Sequence, residues 1–201
     1  LPICDCRLTP LPGARQSKIG NWQSAIPSSY YFPMPLPVAH GLLGASIVAA
    51  VRPRSARGNY VLALLAGALL ANAADFDFLF AFALKSKSWH RGFSHSLVFA
   101  LLVCLILALL PGKRGLKEML AYGLAFASHG ILDYVTSREG SGVALLWPFS
   151  TQRPLLGWWG LSEVPSQLTG VEILKALALE FLLFSPLLLA VLLLRRPSRS
   201  A

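Results

Sequence analysis

The stretch YVLALLAGALLANAADFDFLFAFAL, residues 60–84, decides the fold class of this chain. It is apolar over a length that can cross a membrane, for which a helix needs about 20 residues. Its polar interruptions are Asn72, Asp75 and Asp77. Ionisable groups inside such a run are costly, so they are functional candidates by default. The stretch therefore predicts a membrane helix that carries two functional carboxylates near one of its ends.

The composition of the whole chain supports a membrane environment. Of its 201 residues, 55% are hydrophobic and only 13% are charged, against about 25% charged residues in soluble domains. The net charge of +9 comes from short Lys/Arg clusters between apolar runs, as in membrane proteins with charged water-facing ends. A nucleic-acid-binding face would more often interleave basic and aromatic residues. We therefore expect the lipid bilayer, and not nucleic acid, as a partner; the sequence indicates no oligomeric state.

Four further apolar segments accompany residues 60–84, and two of them reach a full membrane crossing only with their flanks. They are residues 38–51, 96–110, 116–135 and 171–194. We predict an all-α integral membrane helical bundle with four or five transmembrane helices, in a single domain over residues 34–201. Residues 1–33 are rich in Pro, Ser and Gly, and we expect a disordered tail or a mis-called extension upstream of Met34.

The histidines and aspartates of the chain are few and are concentrated at segment ends. There are four of each, and seven of the eight lie at or beside the ends of the first four apolar segments. If consecutive segments cross the bilayer in alternating directions, all seven fall on the same side of the membrane. Four separate segments would seldom converge in this way by chance. The seven candidate metal ligands are His40, Asp75, Asp77, His90, His95, His129 and Asp133.

The spacing within two of these groups suits coordination. His129 and Asp133 are four residues apart, so they project from one face of a helix. Asp75 and Asp77 are two residues apart, which one helix face cannot present together. They fit a helix end or an extended turn.

The motif HRGFSHS, residues 90–96, needs a turn to bring its histidines together. A continuous helix would point His90 and His95 in different directions, and Gly92 favours a turn between them. Ser94 is a candidate N-cap of the next helix. His90 would then approach from the loop and His95 from the first helical turn.

Imidazole and carboxylate ligands suit zinc, manganese or iron. The chain has three cysteines and no CxxC pair, which disfavours a closed structural zinc site. We expect a divalent metal, Zn²⁺ first with Mn²⁺ or Fe²⁺ as alternatives, as one or two ions. No catalytic residue separate from the metal ligands is expected. Arg91 is a candidate substrate contact, because a guanidinium pairs with phosphate oxygens, or else an anchor at the membrane interface.

These motifs resemble those of the bacterial membrane-bound metal-dependent hydrolases of the YdjM-like, LexA-regulated type. The resemblance covers roughly residues 34–195, and where that family usually has proline before its Asp-x-Asp, this chain has Ala74. The family is distantly similar to zinc-dependent phospholipase C and the P1-type nucleases, which implies a phosphoester substrate. The matching pieces are PVAHGLLG (37–44), ADFDFL (74–79), HRGFSHSL (90–97), SHGILDYVTS (128–137) and WPFS (147–150).

The function expected from these observations is hydrolysis of a small-molecule or lipid-linked phosphoester by metal-activated water. The alternative is a membrane metal-binding or metal-ion transport protein without hydrolase activity. We expect a multi-pass protein of the bacterial inner membrane. The Lys/Arg bias of the loops places the basic tail in the cytoplasm and the site on the periplasmic or exterior side.

Overall fold

The computed structural model describes residues 36–56, 58–86, 89–109, 115–137, 142–158 and 170–195. Within these ranges every regular element is helical and no strand occurs, so the predicted all-α class is confirmed. The prediction for residues 1–33 lies outside the described residues. The helices are α1 (Pro37–Val51), α2 (Tyr60–Asn72), α3 (Asp77–Ala83), α4 (Leu97–Leu109), α5 (Leu116–Thr136) and α6 (Gly170–Leu194).

The apolar stretch of residues 60–84 forms α2 and α3 with a 3-10 turn, Ala73–Phe76, between them. Asn59 begins this unit, because its side chain accepts hydrogen bonds from two backbone N–H groups of the first turn of α2. A 3-10 turn has about three residues per turn, so it changes the angular spacing of side chains. Asp75 lies in the turn and Asp77 begins α3, so the predicted helix end is a break inside a longer helical run.

Two helical runs are long and apolar enough to cross a membrane, namely residues 60–83 and α6. Their side chains are mostly exposed: in α6 only Ala176 and Glu180 are buried, and in the first run Leu69 is 72% exposed. A core helix of a soluble protein would bury such a surface. Exposed apolar faces on both runs suit contact with lipid. The apolar helices α1 and α4 are shorter.

Helix α5 forms the centre of the bundle and packs against α1, α2 and α4. Small residues allow these helices to approach closely. A Cβ added at Gly123 would lie 2.6 Å from Cβ of Cys104 in α4, and one added at Gly44 of α1 would overlap Gly67 of α2. The backbone of α5 passes so near the turn before α4 that a Cβ at Gly130 would overlap the carbonyl oxygen of His95.

The N-terminus of α1 is held by an acidic side chain of α6. The Glu180 carboxylate is fully buried and accepts hydrogen bonds from the backbone N–H groups of Leu36 and Ala39. Helix N-termini leave such donors without partners and carry partial positive charge, so a carboxylate there is stabilising.

The other end of α1 is held by a basic side chain at the end of α6. Arg195 Nη1 donates to the carbonyl oxygens of Ala49 (2.7 Å), Ala50 (2.6 Å) and Arg52 (3.0 Å). A cation at a helix C-terminus complements the negative end of the dipole. Glu180 and Arg195 therefore fix α1 parallel to α6.

Candidate metal centre

The structure brings all seven predicted His and Asp residues into one connected cluster, where α1 begins and α5 ends. His40 lies in the first turn of α1 and is 1% exposed, and His129 and Asp133 of α5 are fully buried. The 3-10 turns before α3 and α4 contribute Asp75 and His95. Binding of one ion requires that ligand atoms of several of these residues lie within one coordination shell.

Three side-chain atoms form the centre of the cluster: His95 Nε2, His129 Nε2 and Asp75 Oδ1. The two imidazole nitrogens are 3.1 Å apart, and Asp75 Oδ1 lies 3.2 Å from His129 Nε2 and 3.6 Å from His95 Nε2. Ligands at about 2.0–2.2 Å from one ion are themselves about 3.0–3.6 Å apart. The separations in this triad match the edges of a coordination shell.

The protonation of His129 is set by its other ring nitrogen. Nδ1 lies 2.6 Å from the carbonyl oxygen of Ala71, and since a carbonyl only accepts, Nδ1 carries the hydrogen. In the neutral ring, Nε2 then presents a lone pair towards Asp75 Oδ1. That oxygen is buried and has no hydrogen-bond partner among the described residues. Two electron-pair donors that face each other repel, and a cation between them would remove this repulsion.

Asp77 orients the histidines without facing the centre. Its Oδ1 accepts from His90 Nδ1 at 2.8 Å, and its Oδ2 accepts from Ser94 Oγ at 2.7 Å and from the backbone N–H of Arg91 at 3.0 Å. His95 Nδ1 lies 3.2 Å from the same Oδ2. A carboxylate on the distal nitrogen of a metal-binding imidazole fixes its tautomer and orientation. Asp77 suits this positioning role.

Asp133 approaches Nε2 of His95, whereas Asp77 approaches Nδ1 of the same ring. Its Oδ2 is 3.4 Å from His95 Nε2 and 3.9 Å from His129 Nε2, and its Oδ1 is 3.4 Å from His40 Nε2. Both carboxylate oxygens are buried without a hydrogen bond, although Arg91 Nε lies 3.3 Å from Oδ2. Asp133 therefore suits a fourth ligand whose second oxygen is steered by His40.

His40 also stacks on His129, with ring centroids 3.8 Å apart and an angle of 17° between the planes. His40, His129 and Asp133 form a second triad that could hold a metal. Both triads need His129 Nε2, and an imidazole nitrogen has one lone pair. A third group, Asp75, Asp77 and His90, does not include His129. The one or two ions expected from the sequence therefore stay a prediction.

The cluster carries excess negative charge. Asp75, Asp77 and Asp133 are balanced only by Arg91 within it, which leaves a formal charge of −2 with neutral imidazoles. Asp133 Oδ2 and Asp75 Oδ1 lie 3.4 Å and 3.6 Å from His95 Nε2, so part of this negative charge faces the same ring nitrogen. A divalent cation at this position would balance the charge, because buried charge must be paired.

Arg91 is buried within the site and does not reach the protein surface. It is 3% exposed, its Nη1 donates to Ser137 Oγ at 2.9 Å, and its backbone adopts the left-handed region with φ 56°. This geometry disagrees with anchoring at the membrane interface. Contact between Arg91 and a substrate stays a prediction.

The predicted cap of α4 was wrong. Ser96, and not Ser94, begins that helix, because its Oγ accepts from the backbone N–H of Phe99 at 3.1 Å. Ser94 instead bonds to Asp77. The sequence pattern of an N-cap fits both serines. The path of the 3-10 turn Phe93–His95 decides that Ser96 is the cap.

Two further groups that support the site were not predicted from the sequence. The carbonyl of Ala71 carries no side-chain signal at all. Glu180, which holds the helix that bears His40, could have been selected because it is an acidic residue within an apolar helix.

A cavity of about 390 Å³ lies beside the 89–95 turn but not over the ligands. Its lining includes the aromatic side chains Trp89, Phe93 and Trp147, together with Arg153. Arg153 Nη1 also donates to the carbonyl oxygen of His90 at 2.9 Å. No residue of the candidate metal triads lines this cavity.

Comparison with known proteins agrees with the fold and the motifs. The family model described as YdjM inner membrane protein matches residues 34–198. The chain belongs to this family. It is also 37% identical over 114 residues to inner membrane protein YbcI of Escherichia coli K12, a match that covers 53% of this chain.

The chain spans 65% of the length of this curated relative. No solved structure matches the chain. Membership of the YdjM family confirms the resemblance found in the sequence and places the protein among bacterial inner membrane proteins. The printed names of the family and of the relative state no activity.

Proposed function

We propose that this member of the YdjM family is a metal-dependent hydrolase that cleaves a phosphoester. The observation that carries the proposal is the triad Asp75, His95 and His129, whose three facing atoms are 3.1–3.6 Å apart. Asp133 completes four ligands, and Asp77, His90 and His40 orient them. Among the ions that accept such ligands, Zn²⁺ comes first, with Mn²⁺ and Fe²⁺ as alternatives.

A divalent ion in this position supplies a nucleophile from water near neutral pH and offsets charge on a phosphoryl group. The chain's own residues perform the remaining tasks. Asp77 and the Ala71 carbonyl fix the imidazole tautomers, and Arg91 neutralises Asp133. A guanidinium such as that of Arg91 pairs readily with phosphate oxygens, and this chemistry, with the motif resemblance, favours a phosphoester.

Metal-ion transport is the second candidate, because a break in a membrane helix is typical of transport sites. The 3-10 turn at Asp75 is such a break. The bundle on the other side of the cluster is tightly filled, however, by a core that includes Val48, Ala63 and Tyr122. Beyond that core, Arg52 and Glu118 form a buried ion pair at 2.9 Å. One-sided access favours an enzyme.

The five-crossing topology is also a proposal. Helix α1 packs against both long apolar runs, α5 packs against the first of them, and α4 packs against α5. Helix α6 holds both ends of α1. We infer that all five helical units lie within the membrane and that the site belongs to the periplasmic half.

Metal analysis of the purified protein, combined with phosphomonoester, phosphodiester and phospholipid substrates, tests the function. We expect about one divalent ion per chain and hydrolysis that a chelator abolishes and the metal restores. Uptake of Zn²⁺ or Mn²⁺ into proteoliposomes, without hydrolysis of any of these substrates, would establish the transport alternative instead.

A further inference from the structure

The proposed ligands differ in their exposure. The side chains of His95, His129 and Asp133 are at most 1% exposed, whereas that of Asp75 is 23% exposed. A molecule that reaches the site must therefore pass Asp75, provided that the other sides are closed.

The loop side of the cluster is closed within the described residues. Arg91 is 3% exposed, and Ser137 and Val143 are fully buried. The backbone N–H of Ala144 donates to the carbonyl oxygen of Arg91 at 3.1 Å and ties one loop to the other. The opposite side is filled by the core described above, so the opening at Asp75 is the remaining route.

The depth of Asp75 in the membrane follows from helix length. Its helical run begins at Tyr60, fifteen residues earlier, which corresponds to about 22 Å at 1.5 Å per residue. The hydrocarbon core of a bilayer is about 30 Å thick. If Tyr60 lies at one boundary, about 8 Å of hydrocarbon separates Asp75 from the other boundary.

Helix α6 provides an independent measure of depth. Arg195 lies at the same end of the bundle as Tyr60, and Glu180 contacts the start of α1 beside His40. These two α6 residues are also fifteen apart, again about 22 Å. Both helices thus place the cluster inside the hydrocarbon of one leaflet.

The surface around Asp75 is apolar. Phe76 is 68% exposed and Leu79 is 67% exposed, while Leu69, nearer to Tyr60, is 72% exposed. The first Lys or Arg after Asp77 along this run is Lys85, more than two helical turns further. The opening at Asp75 therefore faces acyl chains and not water.

We propose that the site takes its substrate sideways from the membrane, and that the substrate is a lipid whose phosphate headgroup enters past Asp75. This inference rests on the proposed function and names its substrate class. A water-soluble phosphoester would have to enter the hydrocarbon, whereas a lipid already has its chains there. Its phosphate needs to sink by about 8 Å, towards the cation and Arg91.

Mn²⁺ loaded into the purified protein measures the depth of the site. The protein is placed in nanodiscs of phosphatidylethanolamine and phosphatidylglycerol that contain a nitroxide lipid labelled at the headgroup, in the upper acyl chain or at the chain end. We expect relaxation of the upper-chain nitroxide to be enhanced several-fold more than that of the headgroup nitroxide or of a water-soluble nitroxide. H129A serves as the control without bound Mn²⁺.

Phosphorus coupling in the Mn²⁺ resonance then tests the lipid class. Phosphatidic acid in the nanodisc should produce the coupling, and glycerol phosphate at equal concentration should not. Strongest relaxation at the headgroup, coupling with glycerol phosphate, or coupling with neither probe each overturns the inference while leaving a metal centre intact. Failure of the wild-type chain to bind Mn²⁺, Zn²⁺ or Fe²⁺ overturns the proposed function itself, and this inference with it.

Discussion

Two carboxylates only two residues apart have different environments in this site. Asp77 is 2% exposed and both of its oxygens accept hydrogen bonds from the 90–95 turn. Asp75 Oδ1 has no such donor and faces two imidazoles. The 3-10 turn between α2 and α3 separates their directions, so one carboxylate suits binding and the other suits positioning.

The contrast between residues that face the centre and residues that position them predicts unequal effects of substitution on metal binding. We expect His95→Ala to lose the bound ion, because one of three central ligand atoms disappears. Asp77→Asn should keep the ion but lower its affinity by about 10–100-fold, as is typical for outer partners of ligating histidines. Metal analysis and competition with a chromogenic chelator measure both effects.

Full metal occupancy in His95→Ala would remove this residue from the ligand set. Ser96→Ala is the matched control on the same turn, since Ser96 caps α4 and does not contact Asp77. It should bind metal as the wild type does.

At this scale the sequence predicted which residue types gather, but not their tasks. The order of His and Asp along alternating segments was sufficient to select all seven residues. The distinction between Asp75 and Asp77 depends on where the N–H of Arg91 and the hydroxyl of Ser94 point. Such directions follow from backbone turns that side-chain spacing does not determine.

Among the elements, the contact between α5 and the turn before α4 couples packing to the site. Gly130→Ala would place a methyl group against the carbonyl oxygen of His95 and displace the turn that carries a ligand. We expect metal affinity to fall by about tenfold or more, in the range of second-shell lesions. Alanine normally stabilises a helix relative to glycine, so a loss of metal affinity in Gly130→Ala would result from the contact with the His95 carbonyl.

Gly123→Ala is the matched substitution in the same helix, about two turns before Gly130. Its added methyl group meets Cys104 of α4 and no residue of the site. We expect a lower melting temperature with nearly unchanged metal affinity. Equal affinity losses in the two variants would show that general packing, and not the position of His95, is responsible.

The hold of α6 on α1 predicts a stability effect far from the ligands in sequence. Glu180→Leu removes the acceptor of two backbone N–H groups, and a buried donor left without a partner costs about 1–3 kcal/mol. Unfolding of the purified protein in mixed micelles measures the change. Glu172→Leu removes an exposed pair with Lys175 and should change the stability little.

Helix positions were predictable because apolar runs bounded by charge mark them directly. Segment 38–51 became Pro37–Val51, and segment 171–194 became Gly170–Leu194. The 3-10 break within residues 60–84 was not predicted as such. The spacing of its carboxylates indicated only that a regular helix could not present both together.

For the molecule as a whole, the distribution of basic residues predicts the orientation. The side of Arg195 also carries Arg52 and Arg54, and Lys/Arg-rich loops usually stay in the cytoplasm. We expect a cytoplasm-only fluorescent reporter fused after Arg199 to be bright and a periplasm-only phosphatase reporter to be inactive there. The reverse result would place the metal cluster in the cytoplasmic half of the membrane.

The convergence of the seven residues was predictable from counting segments, whereas the depth proposed above was not. Segment ends at His40 and His95 suggested a site at the membrane surface. The structure shows α3 and the first turns of α6 continuing past these ends. Depth depends on which helices extend beyond the cluster, and only packing determines that alignment.

The hold of α6 on α1 also has a consequence for biosynthesis. Every proposed ligand has been translated once the ribosome passes Asp133, yet Glu180 and Arg195 emerge later. Until then, the N–H groups at the start of α1 lack their carboxylate, and the helix bearing His40 lacks its clamp. The nascent chain thus contains every proposed ligand before its scaffold is finished, and we expect capture of the proposed ion to be a late event of membrane assembly.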